Sequence, residues 1–386
     1  MASTQEPIPL WPRDGEALLR PGPPARQRRL EVWLSVAAVL FVLLLVGVVE
    51  LSLRLLHVRG KEGALGPLHV YSEVYGWEPR RGFRMVEENR ATTINASGYR
   101  GDEIPPPGSG RARVVVLGDS IAFGPDVDDA QTFSHVLSAR TQADVANLAV
   151  PGYDPGQELI KLEREGLGLR PDVVILAICM ANDFADAALP VFLYDGRHPK
   201  LFFRVEGQEL VEHREHLRLS LRDRTALVLR ENSRLYGLIS DRLQESRSVP
   251  QVEHWMKRRK KALRDRAGVI DLTARLVGRM ADDCRRAGVG FVVLAFPDKD
   301  MFKGDTSWLQ DLRAAPPLAG VAIVDMAARF KERGMLFRDI AQDGIGHLSP
   351  KGHEAAAIII EDILVDRGVV PPARRAGVPS PVPVPE

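Results

Sequence analysis

From residue 111 onward, short apolar runs without polar alternation recur between stretches of helical periodicity, and this pattern constrains the fold more than any other feature. The runs are 113–118 (RVVVLG), 144–149 (DVANLA), 172–179 (DVVILAIC), 290–296 (GFVVLAF) and 320–325 (GVAIVD). A strand buried on both faces reads as continuous apolar sequence, whereas a half-exposed strand alternates. Helical patterns fall between them at 130–141, 156–166 and 269–287, with another at 350–365. In the third, Ile270, Leu272, Leu276, Met280 and Cys284 lie near helical spacing and Gly288 stops the run. Strand and helix in repetition predict an α/β domain over 111–370, with a five-stranded parallel sheet covered on both sides. The stretch 188–268 interrupts the alternation. It reads as an insertion holding a hairpin (KLFFRVEGQELVEH), a helix around 223–243 and the basic run Lys257, Arg258, Arg259, Lys260, Lys261. That run is a solvated helix face or, on a sharper reading, a contact for anionic lipid headgroups or an acidic polymer.

The N-terminal part follows different rules. Residues 32–49 (VWLSVAAVLFVLLLVGVV) carry no charge, and as a helix they would span roughly 27 Å, close to a bilayer core. A helix apolar on every face beside a polar tail has no core to enter, so 30–57 reads as one transmembrane anchor. No small-residue cleavage site follows it, and Glu50 and Arg54 come instead, which favours an uncleaved anchor over a signal peptide. Arg26, Arg28 and Arg29 precede the span more densely than Arg54, Arg59 and Lys61 follow it. The positive-inside rule then places residues 1–29 in the cytoplasm and the rest outside. Residues 1–29 and the Pro-rich tail 371–386 lack the apolar content to pack and read as disordered. Residues 58–110, with YGWEPRRGF and INASGYRGDEIPPPGSG, read as a lead-in without a long helix that drapes over the domain.

Charge and cysteines exclude some functions. With 52 Lys and Arg against 51 Asp and Glu, no basic excess marks a nucleic-acid binder. Cys179 and Cys284 have neither a CxxC partner nor zinc-ligand spacing and read as free thiols. Asn95 stands in a glycosylation sequon, NAS, but nothing else points to a eukaryotic secretory route.

The polar residues that could do chemistry all follow strand ends. Ser120 (GDSIAFG) follows the first strand, Gly152 (NLAVPGY) the second and Asn182 (MANDF) the third, while His347 (DGIGHLSPKGH) comes after the fifth. Open α/β sheets bind ligands at the carboxyl ends of their strands, so four distant positions converge on one crevice. A serine at the opening of a helix offers a hydroxyl nucleophile and an N–H facing a developing anion. The Gly152 N–H and the Asn182 amide would complete a three-donor oxyanion hole, and His347 is the general base. Asp343 is the nearest carboxylate to fix the imidazole, with Asp339 a weaker substitute. Taken singly, Ser120 could be a helix cap, Gly152 and Asn182 turn residues, and Asp183 a cap. His353 reads as a helix-surface residue that makes no metal pair with His347.

The blocks GDSIAFG, PGY, AND and DGIGHLSPKGH together resemble the SGNH (GDSL-like) hydrolase family across roughly 113–365. The lead-in segments VVELSLRLL, YGWEPRRG and INASGYRG are similar to those of bacterial members tethered by one N-terminal helix. The resemblance implies a three-layer α/β/α, flavodoxin-like sandwich, Ser120 as nucleophile, Gly152 and Asn182 as oxyanion donors, and His347 as base. It implies no metal or organic cofactor, and a substrate that is a small-molecule or glycan ester of the periplasmic cell envelope. It names no protein partner. One departure stands out: the family places its Asp three residues before the His, whereas Gly344 occupies that position and Asp343 is four before. Glycines at 344 and 346 could let the loop bulge and restore contact. The expected activity is serine-dependent ester hydrolysis. An O-acyltransferase using the same serine, or a catalytically silent polysaccharide-binding module, are the alternatives.

Overall fold

A computed structural model describes residues 25–56, 58, 66–194, 198–245, 251–343 and 346–371. The expected disorder of 1–24 and 372–386 falls outside them. Two compact units are formed: Met1–Lys61 with Leu227–Leu243, and Glu62–Ala226 with Gln244–Glu386. The division differs from the expectation that the whole insertion belongs to the catalytic domain.

In the larger unit, five strands form one parallel sheet: β1 (Arg113–Gly118), β2 (Asp144–Asn147), β3 (Val173–Cys179), β4 (Gly290–Phe296) and β5 (Ile323–Asp325). Their spatial order, β2-β1-β3-β4-β5, is the flavodoxin-like order that reverses direction at β1 and β3. Every residue of β1 and β3 is buried, as their unalternating sequence predicts. Each fully buried Val or Ile there contributes about 1.5–3 kcal/mol by leaving water. Helix α3 (Phe133–Thr141) packs against the last helix, Pro350–Asp366, while α4 (Pro155–Lys161) and α5 (Asp183–Ala187) pack against α9 (Arg266–Arg286). These pairs make the two outer layers of an α/β/α sandwich.

The lead-in contains two hairpins, His69–Ser72 with Gly76–Pro79 and Arg84–Glu87 with Arg90–Thr93. It grips the domain through Trp77, which is fully buried. The indole N–H of Trp77 donates to the Pro151 carbonyl at 3.1 Å, and the Tyr153 hydroxyl donates to the Trp77 carbonyl at 2.7 Å. The loop bearing Gly152 is therefore clamped on both sides. The insertion hairpin forms as Phe202–Glu206 with Glu209–His213. The basic run lies on α8 (Gln251–Ala262), where two members are not solvated as expected. Arg258 donates to the Leu193 and Tyr194 carbonyls at 2.8 and 2.6 Å, and Arg259 to the Ala181 carbonyl at 2.8 Å. Both arginines tie down loops at the carboxyl end of the sheet, which a local charge pattern cannot reveal.

The smaller unit holds α1 (Ala25–Leu55), 31 residues long and about 46 Å at 1.5 Å per residue. Residues 25–29, expected to be disordered, belong to this helix. It is one N-terminal apolar helix long enough to cross a membrane, with a mean hydropathy of 2.9 in its apolar window. The single helix expected over 223–243 is two, α6 (Leu221–Asn232) and α7 (Arg234–Glu245), because the backbone breaks at Ser233.

Candidate active site

Ser120 opens α2 (Ser120–Phe123), a single turn that starts directly after β1. The tight entry is held by Asp119, whose carboxylate accepts from the Ile121 N–H at 2.8 Å. Capping therefore falls to Asp119, and the Ser120 hydroxyl is left for other work. It lies 2.8 Å from His347 Nε2. On the other side of the ring, His347 Nδ1 lies 2.7 Å from Asp343 Oδ2. The four-residue spacing works because Asp343 Oδ1 also accepts from the N–H groups of Gly346 and His347, at 2.8 and 3.1 Å. That turn folds the carboxylate back beneath the ring. Gly346 allows it with φ of +109°, where a Cβ would stand 2.8 Å from the Pro297 carbonyl. Gly344, the other proposed bulge residue, lies outside the described residues. Asp339 is elsewhere: its carboxylate accepts from the Leu336 N–H at 2.9 Å, at the start of its own helical turn.

A second carboxylate escaped the sequence reading. Asp126 Oδ2 lies 3.7 Å from His347 Nδ1, on the segment that follows α2. Its signal was position alone, six residues after Ser120 within the same loop.

Gly152 sits at φ of +79°, and a Cβ there would lie 2.4 Å from the Phe192 ring. Only glycine fits between the backbone and that ring. Phe192 belongs to the insertion, stacks edge-on with Trp77 at 5.3 Å and covers the Gly152 loop. Among the described residues neither the Ser120 nor the Gly152 amide N–H finds an acceptor within the protein. Both are free to meet an anion.

Asn182 is placed differently from expectation. Its side-chain amide donates to Asp119 Oδ2 at 3.1 Å and to Asp186 Oδ2 at 3.0 Å, so both of its hydrogens are engaged. One of these bonds must open before the amide can donate to a substrate oxygen. Asp183 is not a cap either, since its carboxylate accepts from the Cys179 N–H at 2.8 Å.

Behind Asn182 lies an acidic cluster of Asp119, Asp154, Glu158, Asp183 and Asp186, all buried, with Lys200 fully buried among them. Lys200 bonds to the Asp154 carboxylate and donates to the Asp186 carbonyl at 2.8 Å. One cation cannot balance five carboxylates in a low dielectric, so protons must. Burial pushes Asp186 up to about 7, and burial and neighbouring carboxylates hold Glu158 and Asp183 well above the usual range. Asp119 is raised too, by burial. His353, expected on a helix surface, is fully buried. Its Nδ1 accepts from the Phe133 N–H at 3.1 Å, and burial lowers it to about 3, so it is a neutral structural histidine. Cys179 and Cys284 are buried free thiols. No group of His, Cys, Asp or Glu among the described residues is arranged to hold a metal ion.

The GDSL-like Lipase/Acylhydrolase family model matches residues 116–355. Among solved structures, the chain is similar to an acetylxylan esterase of Geobacillus stearothermophilus, at 13% identity over 67% of this chain and 95% of that one with a TM-score of 0.37. It is also similar to a lipase/acylhydrolase of Enterococcus faecalis, at 13% identity over 68% and 99% with a TM-score of 0.37. A GDSL-like lipase of Bacteroides thetaiotaomicron is 11% identical over 68% and 93%, with a TM-score of 0.38. No curated protein sequence matches. With the family match covering well over half of its length, the chain belongs to the GDSL-like lipase/acylhydrolase family and is an ester-hydrolysing enzyme.

Proposed function

We propose that Ser120 is the nucleophile of this enzyme, activated by His347, and that the substrate is an O-acyl ester on a glycan or lipid of the cell envelope. The observation that carries the reading is the unbroken chain from Ser120 Oγ to His347 Nε2 and from Nδ1 to Asp343. Ser120 Oγ attacks the ester carbonyl while Nε2 takes its proton, and the carboxylate of Asp343 steadies the imidazolium that forms. The Ser120 and Gly152 amides receive the negative charge of the tetrahedral intermediate, joined by Asn182 once it releases a carboxylate. The intermediate collapses, expelling the alcohol, which takes the proton back from Nε2. Water, deprotonated by the same nitrogen, then attacks the acyl-enzyme carbonyl, and collapse breaks the Oγ–acyl bond, releases the acid and returns the proton from Nε2 to Ser120 Oγ.

The envelope substrate rests on placement. Helix α1 serves as an uncleaved anchor with its N-terminus in the cytoplasm, which leaves the hydrolase unit on the extracytoplasmic side, the periplasm in a bacterium. The test is the full-length chain in detergent acting on p-nitrophenyl acetate, beside Ser120→Ala. Hydrolysis above background that the substitution abolishes supports the reading, and equal rates overturn it in favour of a silent binding module. Acyl transfer to an added sugar hydroxyl in preference to water would make the enzyme an O-acyltransferase.

A further inference from the structure

Where the 18 uncharged residues of α1 run out, the next residue is Glu50. Its carboxylate accepts from the Ser233 hydroxyl and from the N–H groups of Arg234 and Leu235, each at 3.0 Å. Arg54, one turn on, donates to Glu50 at 2.8 Å and also bonds the Asn232 carbonyl. The two side chains thus hold both sides of the α6–α7 junction: the anion meets the first amides of α7, and the cation meets the last carbonyl of α6. Both contacts satisfy groups that helix ends leave open, and both signs match the helix dipoles. Among the described residues of α1, only Val49, Glu50 and Leu53 are half-buried.

Depth follows from these contacts. An 18-residue span covers about 27 Å, close to the thickness of the hydrocarbon layer, so Glu50 falls at the boundary with the headgroups. Amides 3.0 Å from its carboxylate lie at the same boundary, and α7 therefore begins there. The hairpin is braced across its two helices by Arg230 and Asp241, 2.6 Å apart. It nevertheless leaves large apolar side chains uncovered: Val228 is 57% exposed, Leu229 43% and Ile239 51%. Such residues gathered within a short segment at a membrane exit fit the lipid boundary better than water.

We propose that α6–α7 is an interfacial membrane element, a helical hairpin fixed by Glu50 and Arg54 and immersed by Val228, Leu229 and Ile239 at the headgroup boundary of a phospholipid bilayer. It rests on α1 being a membrane span. The larger unit continues from this element at residues 226 and 244 as well as from residue 61.

The test uses the full-length chain in phosphatidylcholine–phosphatidylglycerol vesicles, with Ile239→Cys labelled by an environment-sensitive fluorophore. The native cysteines are buried and do not compete. Alkaline carbonate extraction reports the span, and quenching by lipids spin-labelled near the headgroup reports the hairpin. The expected result is a carbonate-resistant chain whose label is quenched at least about twofold, with quenching falling in a Glu50→Gln, Arg54→Gln double variant. A carbonate-resistant chain with an unquenched, water-like label overturns the hairpin alone. Quenching unchanged in the double variant overturns the Glu50–Arg54 fixing. Extraction by carbonate overturns the span and the hairpin together.

Discussion

The loop that carries His347 and the helix turn that carries His353 are six residues apart, yet they place the same side chain in opposite situations. The His347 side chain is 19% exposed, and both of its nitrogens face oxygen atoms that can exchange protons with it. His353 is sealed against Phe133, accepts one backbone hydrogen bond and leaves its other nitrogen without a partner. Burial costs the charged form of an imidazole, so the sealed ring stays neutral. Partners and access separate the two.

The largest effects should separate them in activity. Ser120→Ala or His347→Ala should lower kcat by about 10⁴- to 10⁶-fold with little change in Tm, as for serine hydrolases whose nucleophile or base is removed. Equal loss from His353→Ala in soluble, folded protein would break the contrast. Next come the two carboxylates near Nδ1. Asp343→Asn should cost about 10²- to 10⁴-fold in kcat, and Asp126→Asn no more than a few-fold, because only Asp343 lies within hydrogen-bond reach. Reversed magnitudes would show that the ring turns to Asp126 during turnover. His353→Ala should then appear in stability, destabilising by about 2–4 kcal/mol through the cavity and the orphaned Phe133 N–H, with kcat within a few-fold of wild type. Denaturant melts beside initial rates would measure both.

The smallest effect concerns the acidic cluster behind Asn182. Because burial raises Asp186 to about 7 in the folded chain, the folded state holds this proton more tightly than the unfolded state. Its contribution to stability is therefore full below about pH 4 and is lost as pH rises through about 7. Asp186→Asn should flatten that loss and raise Tm by a few degrees at pH 8 while changing little at pH 5. An unchanged pH profile would show that Asp186 is ionised throughout.

The sheet was legible because β1 and β3 are buried on both faces, and burial of that kind writes itself as an unbroken apolar run. The candidate site followed from a related rule: strand ends face one crevice, which pointed to Ser120, Gly152, Asn182 and His347 without any loop conformation, and the structure sets Ser120 beside His347. What stayed hidden depends on partners distant in sequence. His353 carries no mark of burial, since the surfaces that seal it come from α3 and the loop after α2. Arg258 and Arg259 look like any solvated basic run until the carbonyls of residues 181, 193 and 194 are brought to them. The engagement of Asn182 by Asp119 likewise joins two positions that no periodicity connects, although Asp186 lies one helical turn on. Strand β5 and the split at Ser233 show the weaker side of pattern reading, in which element type holds and boundaries shift.

His347 is what would make Ser120 nucleophilic. The most direct measurement is labelling of the full-length chain with a fluorophosphonate, followed by mass mapping and rates. Stoichiometric modification is expected at Ser120, slowed at least about 100-fold by His347→Ala. Modification at another residue, or an undiminished rate at Ser120 without the imidazole, would contradict it.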